Sequence, residues 1–417
     1  MTSTVVINGM GCVCAAGNNV EQIVDSMLSG ERYVCSAPPF ATSHPHPYPV
    51  FSVTSPLHDF GLPAEDIVYL RTALLGLNAA QQALDNSCWD MKSLRSLKVG
   101  VCIGTTVGSS MDVEKFYADY RSGKTPDMRP VNCFYDGNPA TIISKYFAFN
   151  GPCQTIVNAC SSGTDAIGTA TMWLRSGMCD VVLAGGADEL CRTTYNGFAA
   201  LQISSPELCS PFSVERSGLN LGEGAAVMVL AREEIAAEFQ GKESLGYILG
   251  YGSGTDAWHL TAPHPEGRGL KQALNEAFSN TVKNINDDAV DDNGAIVERL
   301  AFVNTHGTGT RDNDCVEGAV LSQLLPKVLF HSTKGYTGHT LGAAGAIEAV
   351  LTLAFLRRGQ IPASAGFSTI DPEIERTPVT ENTTISSDIA LSESLAFGGN
   401  NAALVISLNR SASGVIS

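Results

Sequence analysis

The stretch that decides the fold is Val157-Asn158-Ala159-Cys160-Ser161-Ser162-Gly163-Thr164-Asp165-Ala166-Ile167-Gly168. The short apolar run that ends at Val157 is typical of a buried strand, and small residues then lead into a helical pattern through Leu174. This spacing predicts that Cys160 lies at a corner between a strand and a helix. The helix dipole there favours the thiolate, the nucleophilic form of cysteine. The alternative is a thiol that packs as a small apolar side chain.

A weak internal repeat extends outward from this stretch. Residues Cys160 to Leu174 are followed by a basic residue and a glycine, and residues His339 to Leu356 are followed in a similar way. Self-similarity at this scale predicts a duplicated α/β unit. We expect an N-terminal half over residues 1–255 that carries the cysteine and a C-terminal half over residues 256–417. The halves would form one compact unit, with two equivalent helices packed side by side.

Composition and charge narrow the class of protein. The chain has 417 residues, of which 44% are hydrophobic and 16% charged, as in a tightly packed α/β protein. Its formal net charge of -16 argues against general binding to nucleic acid or to anionic membranes. No apolar run approaches the roughly 18 residues that span a bilayer. The twelve cysteines show no paired framework, which is typical of reduced thiols and predicts a cytoplasmic protein.

The glycines near the N-terminus do not form a dinucleotide site. Residues 3–9 are typical of a buried strand, and we interpret Gly9-Met10-Gly11 as a turn that follows it. The glycines there lack the fixed spacing of the dinucleotide fingerprint. Cys12 and Cys14 have no second pair of ligands nearby, so the pattern also disfavours a zinc site.

Two histidines in the second half occupy positions suited to chemistry. His306 follows an apolar strand pattern and opens a glycine-threonine loop, so we expect it to be exposed enough for acid or base work. His339 lies five residues after Lys334 at the start of a small-residue helix, where the dipole favours neutral imidazole. Each histidine alone is more often a packed core residue. Together with Cys160 they predict a single site.

A glycine-rich turn, Ser394 to Asn401, precedes the last apolar strand. Such a turn can direct backbone N–H groups at a substrate oxygen and so form an oxyanion hole. The alternative is a plain hairpin corner with Phe397 in the core.

With these motifs the chain resembles the β-ketoacyl-acyl carrier protein synthases of the thiolase superfamily, most closely the type II condensing enzymes. The resemblance covers nearly the whole chain. It rests on the segments Ala159-Cys160-Ser161-Ser162-Gly163, Pro211 to Gly224, Asp256 to Pro263, His306-Gly307-Thr308-Gly309-Thr310, Lys334 with His339, and Phe397-Gly398-Gly399. It implies an α/β fold of the thiolase type, duplicated and layered α-β-α-β-α. It also implies a decarboxylative Claisen condensation with malonyl-acyl carrier protein, in fatty acid, polyene or polyketide biosynthesis.

The resemblance implies a role for each catalytic candidate. Cys160 accepts the acyl group, His306 and His339 promote decarboxylation and stabilise the enolate oxygen, and Lys334 holds the polar network around them. The N–H groups of Cys160 and Phe397 form the oxyanion hole, and the Phe397 ring gates the pocket.

Further positions match family residues that hold substrate or support the site. Those that match the phosphopantetheine contacts are Thr261, Thr308 and Thr310. Val107 matches a position in the acyl pocket, and Asp314 and Glu317 match supporting positions.

The resemblance also implies partners. The chemistry needs no metal and no cofactor beyond the phosphopantetheine of an acyl carrier protein. The chain is expected to form a homodimer, or a heterodimer with a subunit like a chain-length factor. Since the carrier protein is expected to be acidic, it should dock on a small cluster of basic residues, for which Arg71, Lys115 and Arg121 are candidates.

Two departures from the family pattern and three alternatives remain. Ala396 stands where many members have glycine and Asn400 where threonine is usual, which favours a specialised polyene or polyketide pathway over housekeeping fatty acid synthesis. A coenzyme A-dependent thiolase would need a second cysteine after Cys315, and the sequence has none. A non-catalytic chain-length partner would typically lack the nucleophile. A cysteine hydrolase ranks last, because paired histidines with a lysine suit decarboxylation better than water activation.

Overall fold

The computed structural model describes residues 4–410 except 43, 46, 68, 88, 109–112, 240–243, 286–292 and 375. Within these ranges the chain forms twelve strands and fifteen α-helices. The strands are β1 Val5–Cys14, β2 Val99–Gly104, β3 Cys153–Ile156, β4 Val181–Asp188, β5 Gly224–Arg232, β6 Gly246–Thr255, β7 Leu300–Asn304, β8 Leu329–His331, β9 Gln360–Ile361, β10 Thr383–Thr384, β11 Ile389–Ala396 and β12 Asn400–Ser407.

The helices are α1 Val20–Leu28, α2 Ala64–Ile67, α3 Arg71–Asp85, α4 Met91–Ser96, α5 Val113–Arg121, α6 Arg129–Asp136, α7 Pro139–Phe147, α8 Ser162–Arg175, α9 Arg192–Ala200, α10 Glu233–Glu238, α11 Arg268–Ile285, α12 Asn293–Val297, α13 Arg311–Leu324, α14 Lys334–Thr337 and α15 Ala344–Arg358. None of the helices in the described ranges is long and apolar enough to cross a membrane.

Ten strands form one sheet in the order β3-β2-β4-β5-β1-β6-β12-β11-β7-β8. The order is two copies of one five-strand pattern that meet where β1 pairs with β6. In each copy the two outermost pairs are parallel and the two inner pairs antiparallel. This pattern groups β6 with the second copy. The boundary between the two copies in the topology therefore lies slightly before residue 255. The division into residues 1–255 and 256–417 stays a prediction.

The helices and the two halves of the sheet form five layers, which are defined by the side chains that share each core. The central core joins α8 and α15 to the inner faces of both halves of the sheet, through residues such as Ile167, Val350, Met228 and Leu404. A second core lies between α3, α7 and the outer face of the first half. A third lies between α11, α13 and the outer face of the second half. The arrangement is therefore helix, sheet, helix, sheet, helix.

The central helices α8 and α15 lie against each other, as the sequence repeat predicts. Small residues allow this contact. A Cβ on Gly163 would lie 2.7 Å from the Ala346 nitrogen, and a Cβ on Gly345 would lie 2.0 Å from Thr164 Oγ1. Both helices end in the same way, because Gly177 and Gly359 have φ of 70° and 69°, a region that favours glycine.

The expectation of a turn at Gly9-Met10-Gly11 is wrong. Strand β1 continues to Cys14 and pairs with β5 along its length. The two glycines serve helix packing instead, because a Cβ on Gly9 or on Gly11 would lie 2.0 or 2.1 Å from a carbonyl oxygen of α3. Glycine here lets a helix backbone rest directly on the strand.

Gly11→Ala is expected to lower the free energy of unfolding by about 1–3 kcal/mol, because the added methyl group collides with the Ala79 carbonyl. Urea unfolding measures the change. Gly197→Ala is the matched control: a Cβ there meets nothing within 4 Å on the exposed face of α9, so it should stabilise the chain by about 0.5–1 kcal/mol. Equal stability of the two variants would contradict the packing argument.

Candidate active site

The carboxyl ends of the parallel strands in both halves converge on one region. In open α/β sheets, ligand sites form in this position because loops from several strands meet there. Cys160 follows β3, His306 follows β7, Lys334 and His339 follow β8, and Phe397 follows β11. Five candidates that are far apart in the sequence are thus brought to one place by the duplicated topology.

Cys160 lies at a tight corner, as predicted. Strand β3 ends at Ile156 and α8 begins at Ser162. Ala159 has a φ of 49°, in the left-handed region, which turns the chain sharply just before the cysteine. Strand β2 passes close to this corner, since a Cβ on Gly104 would lie 2.3 Å from the Ser162 carbonyl group.

His339 contacts the cysteine directly. Its Nε2 lies 3.1 Å from Cys160 Sγ, and its Nδ1 accepts the Leu341 N–H at 3.2 Å. A ring nitrogen that accepts a hydrogen bond carries no proton, so the neutral ring is protonated on Nε2. His339 therefore presents an N–H donor to the sulfur and to any oxygen bound beside it.

The segment Pro211 to Gly224 fixes the backbone of this histidine. The His339 N–H donates to the Asn220 carbonyl at 2.8 Å, and the Gly222 N–H donates to the His339 carbonyl at 3.0 Å. A segment of the first half thereby holds a residue of the second half opposite Cys160.

His306 is oriented in the same sense by Lys334. The Lys334 ammonium lies 3.1 Å from His306 Nδ1 and forms an ion pair with Glu348. An ammonium has only donors, so Nδ1 accepts and the proton of neutral His306 is on Nε2. The two imidazole rings are 5.2 Å apart and nearly perpendicular. One ring nitrogen of each histidine and the cysteine sulfur lie within 4.8 Å of one another.

Burial decides the charge of both histidines. We expected His306 to be exposed, but it and His339 are each 2% exposed. Burial, aided by the positive charge of Lys334, holds the pKa of both rings well below the usual range. The neutral state predicted for His339 is confirmed, but its main cause is desolvation by burial. The neutral state of the two rings, and with it their two N–H donors, therefore does not change with pH near neutrality.

The expectation of a preformed thiolate is wrong. Cys160 is 5% exposed, and burial raises the pKa of its thiol to about 12, although the charge of Lys334 and the Phe397 N–H lower it in part. Desolvation outweighs the stabilisation of the anion because the whole corner is buried. The resting site therefore holds a thiol.

Asp314 and Glu317 support loops through backbone N–H groups. Glu317 accepts the N–H groups of His306 and Gly307 at 2.5 and 2.8 Å, which fixes the loop after β7. Asp314 accepts the N–H groups of Phe212 and Gly309 at 2.8 and 3.2 Å. Both carboxyls are buried, and neither lines the cavity described below.

Asp188 supports the site in a way that the sequence motifs did not indicate. This carboxylate at the end of β4 accepts the N–H groups of Thr106 and Val107 at 2.7 and 3.0 Å and that of Gly342 at 2.6 Å. It thus joins the two halves behind Cys160, and burial raises its pKa to about 6. Its position after Gly185-Gly186 at a strand end was a signal that could have found it.

A cavity of about 340 Å³ lies next to Cys160, His306 and His339. The predicted residues that line it are Cys160, Thr261, His306, Thr308, Thr310, His339 and Phe397. The Phe397 ring stacks on Phe198 with ring centroids 5.6 Å apart, a contact that the sequence did not indicate. The cavity does not reach Val107, which packs beside Tyr195 and Leu341, so its place in an acyl pocket stays a prediction.

Arg71 is unsuited to the docking role that we expected. Its guanidinium donates to both carboxylate oxygens of buried Glu223, at 2.9 and 2.6 Å, and to the Val53 carbonyl at 3.0 Å. Through these bonds the Arg71 side chain holds the loop before β5. Lys115 and Arg121 lie on the surface of α5, where their role stays a prediction.

Lys334→Ala is expected to destabilise the chain by about 3–5 kcal/mol at alkaline pH, because an ionised Glu348 is then left as a buried, unpaired charge. Burial already raises the pKa of Glu348 to about 7, so the loss should shrink as the pH falls and the carboxyl becomes protonated. Urea unfolding at several pH values measures this. The double variant Lys334→Met, Glu348→Leu should recover most of the loss, and a loss that is equal at all pH values would contradict the ion pair.

Comparison with known proteins supplies the family. A model described as the N-terminal domain of beta-ketoacyl synthase matches residues 60–236, and one for the C-terminal domain matches residues 245–368. The 3-oxoacyl-[acyl-carrier-protein] synthase 2 of Staphylococcus aureus (strain COL) is 30% identical, and the match covers 96% of this chain and 97% of that protein. The chain belongs to the β-ketoacyl synthase family.

Solved structures agree with this assignment. The structure described as the ishigamide ketosynthase/chain length factor contains a chain that is 27% identical with a TM-score of 0.86, and the match covers 98% of this chain and 99% of that one. A chain of the ketosynthase ApeO in complex with its chain length factor ApeC, from Xenorhabdus doucetiae, is 28% identical with a TM-score of 0.80, covering 98% of both chains. The thiolase-like α/β fold implied by the motifs is confirmed for this ketosynthase.

Proposed function

We propose that this chain joins an acyl group held on Cys160 to malonyl-acyl carrier protein, with loss of carbon dioxide, to give β-ketoacyl-acyl carrier protein. One observation carries the proposal: the Nε2–H of neutral His339 lies at the Cys160 sulfur, and the ring of neutral His306, with its proton on Nε2, lies beside them, because Leu341 and Lys334 occupy the Nδ1 atoms of the two rings. Two fixed donors beside a thiol suit the stabilisation of an enolate oxygen. They do not provide a base that could activate water.

The first half-reaction transfers the acyl group. The Cys160 sulfur bonds to the thioester carbonyl carbon, the bond from that carbon to the phosphopantetheine sulfur breaks, and the thiol proton passes to the departing sulfur. No net base is needed, so a resting thiol is compatible with the step. The N–H groups of Cys160 and Phe397 would hold the tetrahedral oxyanion. The Phe397 N–H already points at the sulfur.

The second half-reaction makes the carbon–carbon bond. The bond from the malonyl α-carbon to its carboxylate breaks, carbon dioxide leaves, and the electron pair forms an enolate. The Nε2–H groups of His306 and His339 donate to the enolate oxygen. The α-carbon then attacks the acyl-cysteine, and the Cys160–acyl bond breaks. The sulfur leaves as a thiolate and takes up a proton, which burial favours because it raises the pKa of Cys160.

The threonines would hold the phosphopantetheine arm. Thr308 and Thr310 line the cavity beside His306, and their hydroxyl oxygens are 2.9 Å apart. Thr261 lies on an exposed loop at the wall of the same cavity. Hydroxyls along one wall suit the two amides of the arm, while the Phe397 ring would close the cavity behind the acyl chain.

A non-catalytic chain-length partner is less compatible with the site. Such a subunit has no need of a nucleophile, and here the sulfur, both N–H donors and their supports are all in place. A thiolase would require a second cysteine at the site, and Cys160 is the one cysteine among the residues that line the described cavity.

We propose that the pathway is a specialised polyene or polyketide pathway. This rests on Ala396 and Asn400 at the gate loop, where the Asn400 amide donates to the Phe397 carbonyl at 3.4 Å, and on likeness to ketosynthases with chain length factors. Turnover of saturated and conjugated acyl carrier proteins tests it. Faster extension of conjugated chains supports the specialised pathway, and extension of saturated long chains alone would contradict it.

We propose that a second subunit pairs with the edge strand β3. This strand ends the ten-stranded sheet, and Cys153 and Gln154 are exposed along it. Phe134 and Tyr135 are exposed on α6, which precedes the helix α7 that packs on β3. Light scattering distinguishes the partners. A dimer of the chain alone supports a homodimer, a dimer only with a chain-length-factor-like subunit supports a heterodimer, and a monomer in both contradicts the proposal.

We place the protein in the cytoplasm. Buried cysteines such as Cys12, Cys14 and Cys102 form no disulfide, which suits a reducing compartment.

A further inference from the structure

An acidic side chain that the mechanism does not use lies in the middle of β11. Glu393 is 0% exposed and faces the same side of the sheet as Leu391 and Leu395, both of which belong to the core against α11 and α13. Its neighbour across the sheet is Ala403 on β12. An ionised carboxylate in such apolar surroundings would be strongly unfavourable without donors.

Glu393 has no such donors. Neither of its oxygens accepts an N–H or O–H group from the described residues. The carboxyl group of Glu317 lies beside it, close enough for the two carboxyl groups to share a hydrogen bond. Two carboxyl groups can share a hydrogen bond only when one of them carries a proton.

The surroundings assign the proton to Glu393. Glu317 accepts three N–H groups, from the backbones of His306 and Gly307 and from the Asn313 amide at 3.1 Å, and so suits the negative charge. Burial and the nearby Glu317 raise the pKa of Glu393 well above its usual range. Burial raises the pKa of Glu317 to about 7, although the bond from Glu393 and the Gly307 N–H act to lower it.

We propose that Glu393 is a positioning residue: its protonated carboxyl group donates to Glu317 and thereby fixes the backbone of His306 and Gly307. Glu317 then accepts a hydrogen bond from Glu393 in addition to those from the three N–H groups. Glu317 in turn sets the position at which the His306 ring meets substrate. Glu393 touches neither substrate nor the reacting atoms.

The charged groups around the pair are few. Glu317 and Asp314 come from α13, Glu348 from α15 and Lys334 from α14, and Asp314 forms an ion pair with Arg216. Strands β7 and β12, which flank β11, carry no ionisable side chain. One ammonium therefore faces the carboxyl groups of Glu317, Glu348 and Glu393, and the loss of the Glu393 proton would add an uncompensated negative charge at the centre of the protein. The pair should therefore fail as the pH rises.

The inference predicts the effect of two substitutions. Glu393→Leu matches the flanking leucines in polarity but removes the donor, so kcat for condensation should fall about tenfold, the factor for one lost hydrogen bond, with KM unchanged. Glu393→Gln keeps a donor that cannot ionise, so kcat should return to near the wild-type value. The alkaline fall of kcat in the wild-type pH profile should be absent from this variant.

Unfolding gives a readout that does not depend on activity. Because the pKa of Glu393 is raised in the folded state, its contribution to stability is full below the usual glutamate range and is lost as the pH rises toward the folded value. From about pH 5 to about pH 9, wild-type stability should fall more steeply than that of Glu393→Gln. The inference rests on the proposed condensation. Inactivity of the wild type would contradict only that function, because the unfolding measurement tests the Glu393 proton without any assay of activity.

Three outcomes would overturn the proposal. Glu393→Leu could show wild-type kcat and pH profile, or Glu393→Gln could be folded yet as impaired as the leucine variant. Wild-type activity could also require potassium or sodium over tetramethylammonium, which would put a cation where the proton is proposed. A lower kcat in the leucine variant, rescued by glutamine, would support it.

Discussion

Cys160→Ala is expected to abolish formation of the acyl-enzyme and with it all condensation. Cys160 is the one cysteine that lines the described cavity, and its sulfur is the atom on which both the His339 Nε2–H and the Phe397 N–H converge. Intact-protein mass spectrometry after incubation with acyl carrier protein measures the adduct. The wild type should gain one acyl group and the variant none.

The same variant should still release carbon dioxide from malonyl-acyl carrier protein, because the two imidazole donors remain in place. This keeps loss of the adduct distinct from loss of the fold. Cys35→Ala is the control for thiol removal elsewhere, since Cys35 packs on a separate cluster and should acylate normally at Cys160. Acylation of the Cys160→Ala variant at any other residue would show that the nucleophile is misassigned.

His306→Ala and His339→Ala are expected to leave acylation largely intact while condensation falls about 10²–10³-fold, the usual cost of one oxyanion donor. Each variant removes one of the two Nε2–H groups that would hold the enolate oxygen. Single-turnover assays separate the steps by following the acyl-enzyme first and the β-ketoacyl product after malonyl-acyl carrier protein is added.

His58→Ala is the matched control, because this exposed histidine packs edge-to-face against Phe60, neither residue lines the cavity, and the change should leave both steps unchanged. If either active-site histidine variant lost acylation as completely as condensation, that histidine would act on the thiol and the division of labour proposed here would be wrong. A normal condensation rate in both variants would remove the enolate role.

The sequence indicated the members of the candidate site because each of them lies at a local signal. Cys160 follows an apolar run and precedes a helix of small residues, and His306 opens a glycine-threonine loop after another such run. The family motifs then supplied the reaction. The repeat between α8 and α15 even predicted that two helices would meet, because small residues at both N-terminal ends are visible without a structure.

The state of those residues was harder to predict, because burial is a property of the folded chain. The corner at Cys160 suggested a thiolate, but desolvation outweighs the helix dipole once the corner is buried in the folded chain, and the pKa of the thiol rises to about 12. His306 looked exposed for the same reason: a loop after a strand is usually at the surface, whereas this loop is enclosed by the other half of the molecule.

The sequence by itself determined the fold and the family, and it named the residues that are candidates for the reaction. Only the tertiary structure decided that Gly9 and Gly11 let a helix rest on β1, that Asp188 joins the halves behind Cys160, and that Glu393 meets Glu317. Each of these depends on contacts between segments remote in the chain. Local patterns record the propensity of a segment, but close approach and lost solvent arise only when distant segments pack.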